Sequence, residues 1–176
     1  YAGKSVRLRF YFNSVDEDYN TGLGWMIDDV SVTNQGPAAG CLADGDYNNL
    51  GLAQAMTIGS SVQADLCPQG DVDYYYFTGT AGQPIRVDID AQALNPASAL
   101  DSQIYLLDAD GRSVVAWNDD EVLYDKPDSL LVFTLRRTGL YYIKVKAWDS
   151  PGAGGANYPY TLRLEQVQNN KPKSIN

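Results

Sequence analysis

The chain has 176 residues and a formal charge of −9, from 13 Lys+Arg against 22 Asp+Glu, which is room for one full domain and part of another. A chain this acidic repels nucleic-acid phosphates and anionic lipid. Its lack of histidine removes Ser-His-Asp and Cys-His nucleophiles, HExxH zinc sites and the usual neutral-pH proton shuttle.

Residues 6–12 (VRLRFYF) set Val6, Leu8, Phe10 and Phe12 on one face and Arg7, Arg9 and Tyr11 on the other. That period of two predicts a half-buried strand. A polar loop from Asn13 to Gly24 leads to a second predicted strand, Trp25 to Val32, and residues 34–40 (NQGPAAG) have linker composition. Two strands alone are marginal in water. Residues 1–33 therefore read as a strand pair without its own fold, and burying Val6, Leu8, Phe10 and Phe12 is worth roughly 6–12 kcal/mol. Cover could come from the chain's own sandwich or, by strand donation, from a neighbouring copy. Repeated head to tail, donation would build a homopolymer, a fibre or tube.

From Cys41 the pattern changes to short strands separated by turns. Strands are predicted at Tyr74–Thr78, Ile85–Ala91, Gln103–Asp108, Val114–Trp117, Leu130–Leu135, Tyr141–Ala147 and Tyr160–Glu165, with turn chemistry at 81–84 (AGQP), 108–111 (DADG) and 137–139 (RTG). Only Leu50–Ile58 could support a short helical turn. The fold class is all-β, an antiparallel, jelly-roll-like β-sandwich over residues 41–166 with an N-terminal two-strand extension and a polar tail at 167–176. Without an initiator Met, the chain reads as a mature piece of a longer secreted precursor, extracellular or on the cell surface. In such an oxidising compartment Cys41 and Cys67 are expected to pair; the alternative is two separate buried thiols.

Three stretches occur in order: GDVDYYYFTGTAGQPIRVDI (70–89), LDSQIYLLDADGRSVVAWNDD (100–120) and GLYYIKVKAW followed by YPYTLRL (139–164). Together they resemble the bacterial pre-peptidase C-terminal domain, a β-sandwich appended to many secreted peptidases and related to collagenase collagen-binding modules. AGKSVRLRFYF and GWMIDDVSV (2–12, 24–32) resemble the closing strands of the jelly-roll that precedes this module in immune-inhibitor-A-type metallopeptidases. The resemblance implies a non-catalytic segment of such a precursor.

Asp44, Asp46 and Asn48 alternate, with Asn49 next. Oxygen-bearing side chains at that spacing can converge on one hard cation, although the rest of an EF-hand is missing. The family resemblance adds Asp71 and Asp73 to this set and implies Ca²⁺ as the ion. The competing reading is that these residues only fill turns. Asp101, Asp119 and Asp120 make a second, weaker candidate cluster beside Asn118, and the tyrosine runs 74–76 and 141–142 place about half their rings outward, where a ligand platform competes with plain strand-forming preference.

Two functional readings follow. The first is a calcium-stabilised, self-assembling structural subunit. The second is an accessory module of a secreted peptidase that binds substrate or extracellular matrix, or is removed on secretion. Catalysis is not expected, because nothing supplies an activated nucleophile or a base near neutral pH.

Overall fold

The computed structural model describes residues 40–42, 50–121, 126–148 and 153–167. The chain divides into two units, Tyr1–Asn34 and Gln35–Asn176, and every described residue belongs to the second. The expected N-terminal strand pair, with Val6, Leu8, Phe10 and Phe12, lies outside the described residues.

Among the described residues, nine strands form two sheets: β1 (Gln54–Ala55), β2 (Ser60–Asp65), β3 (Val72–Gly79), β4 (Pro84–Asp90), β5 (Ser102–Leu107), β6 (Val114–Asn118), β7 (Leu130–Thr134), β8 (Gly139–Ala147) and β9 (Pro159–Gln166). The five-stranded sheet runs β1-β3-β8-β5-β6 and the four-stranded sheet β2-β9-β4-β7. All pairs are antiparallel except β1 with β3. All seven strands expected after Cys41 are present, and no helix occurs among the described residues.

Alternation decides the faces. In β4, Ile85, Val87 and Ile89 are buried while Arg86 and Asp88 are not. In β3 the inward set is Asp73, Tyr75 and Phe77; in β8 it is Tyr141, Ile143 and Val145. These side chains join Ile104, Leu106, Leu162 and Leu164 in one core fed by both sheets, as a sandwich requires. Each run of tyrosines is thereby split: Tyr75 and Tyr141 point in, Tyr74, Tyr76 and Tyr142 out.

Turn chemistry holds the connections. Between β5 and β6, Gly111 takes a positive φ of 64°, and the Asp110 carboxylate accepts the Arg112 and Ser113 N–H groups at 2.9 and 2.8 Å. Before β8, the Tyr141 hydroxyl accepts the Arg137 N–H and donates to the Arg137 carbonyl, both at 3.0 Å.

The short helical turn considered for Leu50–Ile58 does not form. A turn at 50–52 leads into β1, which pairs Gln54 with Tyr75 and Ala55 with Tyr76. Edge pairing to β3 satisfies this backbone without a helix.

Candidate functional site

Cys41 and Cys67 form a disulfide with Cα atoms 5.7 Å apart. Around it, Leu42 N–H donates to Asp65 Oδ2 at 2.7 Å, and Cys67 N–H donates to Asp71 Oδ2 at 3.0 Å. The Cys41, Asp65 and Cys67 group alone, among the described residues, brings three possible ligand atoms within 4.8 Å. Both sulfurs are spent in the disulfide, so no thiolate remains to bind a metal.

Of the expected calcium ligands, Asp44, Asp46, Asn48 and Asn49 lie outside the described residues. Asp71 is half-buried, and its two oxygens accept the Cys67 and Val72 N–H groups. Asp73 faces the core at 1% exposure. There it accepts a hydrogen bond from the Tyr160 hydroxyl, which also bonds the Tyr75 hydroxyl at 2.6 Å. Burial, then the Tyr75 and Asp73 charges, push Tyr160 well above the ordinary tyrosine range.

The second acidic cluster is gathered at one end of the sandwich. Burial, then the neighbouring Asp120, Asp119 and Asp128 carboxylates, raise Asp101 above the ordinary carboxylate range. Asp128 is raised by burial, although the Ala91 and Gln92 N–H groups favour its charge. Asp101, Asp119 and Asp120 thus feel one another electrostatically without converging three ligand atoms within 4.8 Å.

The outer faces of the two sheets differ in chemistry. On the four-stranded sheet, charges pair locally: Arg86 with Asp88 at 2.9 Å and Arg163 with Asp90 at 2.5 Å. The five-stranded sheet instead shows aromatic rings. Its register lines up Tyr74, Lys144, Tyr105 and Trp117 across β3, β8, β5 and β6. Lys144 Nζ lies 5.8 Å from the Tyr74 ring centre and 5.6 Å from that of Tyr105. Tyr105 stacks on Trp117 at 6.4 Å, and Tyr76 meets Tyr142 at 6.2 Å. Trp117 is 54% exposed and Tyr76 37%. Polarised lysine between ring faces, beside solvent-facing aromatics, is a surface equipped for recognition.

Residues 71–147 match the model of the bacterial pre-peptidase C-terminal domain. The pre-peptidase match runs from the start of β3 to the end of β8, and so includes the whole aromatic row. The resemblance read from residues 70–164 is thereby upheld, while the jelly-roll likeness of residues 2–32 lies outside the described residues. A probable subtilase-type serine protease of Deinococcus radiodurans is 39% identical over 77 residues, 44% of this chain and 10% of that protein. The chain therefore spans about a tenth of that relative's length. Among solved structures, the pre-peptidase C-terminal domain of a Bacillus anthracis collagenase aligns with TM-score 0.48 and 17% identity, covering 64% of this chain and 94% of that one. A periplasmic inhibitor of g-type lysozyme from Aeromonas hydrophila aligns with TM-score 0.44 and 17% identity, over 65% and 99%. The expected homopolymer rested on residues 6–12 and gains no support from these comparisons.

The sequence reading missed Lys144 and Lys146 as members of a site. Their alternation with Ile143 and Val145 marks them as outward, but the strands they lie between are set by long-range register that one sequence does not display.

Proposed function

We propose that this sandwich is a non-catalytic accessory module of a secreted peptidase, working outside the cell by holding protein substrate or matrix against the aromatic face of its five-stranded sheet. The observation that carries this reading is the pre-peptidase match across β3–β8, the strands that supply Tyr74, Lys144, Tyr105 and Trp117. The disulfide fits an oxidising compartment, and the 39%-identical segment belongs to a probable subtilase-type protease.

Co-sedimentation of the chain with insoluble collagen and with bacterial cell wall tests it. Wild type is expected to sediment with at least one of them, and Tyr76→Ala/Trp117→Ala is expected to stay in the supernatant with an unchanged melt. Absence of wild-type binding to either, or full binding by the double variant, counts against this function.

Calcium belongs to the same reading as a stabilising ion. Asp71 fits it better than Asp73. The Asp71 oxygens accept the Cys67 and Val72 N–H groups at the surface side of the strand start, and a carboxylate oxygen carries more than one lone pair. Asp73 is turned into the core against Tyr160. Asp44, Asp46, Asn48 and Asn49 would complete the shell of hard oxygen donors that the ion prefers.

A further inference from the structure

The outward face of β3, β8, β5 and β6 is folded into an open groove of 410 Å³, within the ordinary range for ligand sites. Tyr74 and Tyr105 wall it, and Leu107 and Val114 form an apolar end near the β5–β6 turn. Lys144 and Lys146 line it from β8, and Arg112 reaches it from the turn. Three cations in one groove stand out on a chain with a net charge of −9.

None of the three has a salt-bridge partner among the described residues. Arg112 feels Asp110 in its own turn, where hydrogen bonds from Ser113 and Arg112 hold that carboxylate down to about 2. Residues 144 and 146 share one face of β8, and Lys144 lies near two rings, so its charge is positioned before any ligand arrives.

We infer that this groove binds an acidic polypeptide segment, with carboxylates bridging Lys144 and Lys146 and a neighbouring apolar or aromatic side chain lying against Leu107 and Val114. This rests on the binding-module reading and names its partner. Charge complementarity selects an anion. The aliphatic end at Leu107 and Val114 suits a side chain better than it suits sugar hydroxyls, which would lose water there. β6 is also an edge strand, so its outer backbone groups lie beside the groove and can pair with an extended chain.

The test measures binding of the full chain to a random glutamate–tyrosine copolymer by fluorescence anisotropy. A lysine–tyrosine copolymer and polygalacturonate are run beside it. The glutamate–tyrosine copolymer is expected to bind best, and to lose binding near 1 M salt, where the screening length falls to about 3 Å. Lys144→Gln/Lys146→Gln is expected to weaken it at least about tenfold, with an unchanged melt because both side chains reach solvent. Arg112→Gln, at an exposed turn position, is a second variant expected to weaken binding, and Lys126→Gln, whose lysine pairs with Glu121 elsewhere, is expected to change nothing.

Equal binding by wild type and the double-lysine variant overturns the inference, as does preference for polygalacturonate. Binding displaced by dimerisation of the chain overturns it too, since the groove's occupant would then be a second copy. If the copolymer fails while matrix co-sedimentation succeeds, only the acidic-peptide assignment falls. If both fail, the binding-module reading falls with it.

Discussion

Tyr160→Phe removes one oxygen from the centre of the sandwich, and its cost can be worked out from the geometry. That hydroxyl donates to the Asp73 carboxylate and meets the Tyr75 hydroxyl at 2.6 Å, with Tyr75, Asp73 and Tyr160 all at most 1% exposed. A hydrogen bond to a charged group contributes about 1.5–3 kcal/mol and a neutral one about 0.5–1.5. Losing both, with Asp73 still buried, should cost roughly 2–4 kcal/mol. Tyr75→Phe removes the neutral bond to Tyr160 and leaves the bond to Asp73 in place, and that loss should cost roughly 0.5–1.5 kcal/mol. At roughly 3 °C per kcal/mol for a domain of this size, Tm falls by about 6–12 °C in the first variant and about 2–5 °C in the second. Because the Tyr75–Tyr160 bond is shared, the double variant should cost less than the sum. Urea unfolding followed by tryptophan fluorescence, checked by calorimetry, gives all three values. The sign in pH follows as well. A folded-state tyrosine pKa raised above about 10 contributes stability present below that pH and lost as pH climbs through and beyond it. Tyr160→Phe should therefore flatten the alkaline limb. Equal losses from Tyr160→Phe and Tyr75→Phe, or an unchanged alkaline limb, would refute this account of the buried network.

Other outcomes are expected. Cys41→Ser/Cys67→Ser opens a loop of sequence separation 26, and the chain-entropy relation puts the loss at about 3.5 kcal/mol, measurable by urea melts with and without reductant. Gly154 has φ +121°, and a Cβ there would lie 2.8 Å from the Pro68 carbonyl oxygen and 2.9 Å from that of Leu66, whereas Gly155 at φ +127° has open space. Gly154→Ala should thus lower Tm clearly more than Gly155→Ala, which meets only the backbone strain of about 1–2 kcal/mol. Asp101, raised by burial and by Asp120, Asp119 and Asp128, contributes stability present below the ordinary carboxylate pKa and lost as pH rises above it. Asp101→Asn should raise Tm slightly at pH 7, solvent screening at this exposed position keeping the change small, and have no effect at pH 3. Chelation with EDTA should lower Tm through loss of mass-action stabilisation. Asp46→Ala should reproduce that shift, and an unmoved Tm with no calcium by elemental analysis removes the ion.

Strand by strand, short apolar and aromatic runs bounded by turn residues were enough to find β3 through β9. β2 escaped this reading. SSVQAD carries one aliphatic branch and sits on the sheet edge, where polar residues are tolerated. β1 escaped because two residues carry no period, and its strand character comes entirely from pairing with Tyr75 and Tyr76. The disulfide could be expected from compartment alone. Asp73 was legible as an acidic residue but not as a core residue: its inward phase follows from sharing a face with Tyr75 and Phe77, and its partner Tyr160 is 87 residues away. Asp101, Asp119 and Asp120 come near one another because β5 and β6 are neighbours. Their coupling is electrostatic because the carboxylates stop short of a shared ligand position.

The cross-link between Cys41 and Cys67 also changes how the sandwich would carry mechanical load. Tension arriving from the N-terminal side would bypass the intervening loop and enter at Cys67, between β2 and β3. β1, joined to the sheet by a single short parallel pairing, would be spared from peeling first. The strain would then pass to the long antiparallel ladder of β3 against β8, and reduction of one covalent bond would return it to the two-residue β1.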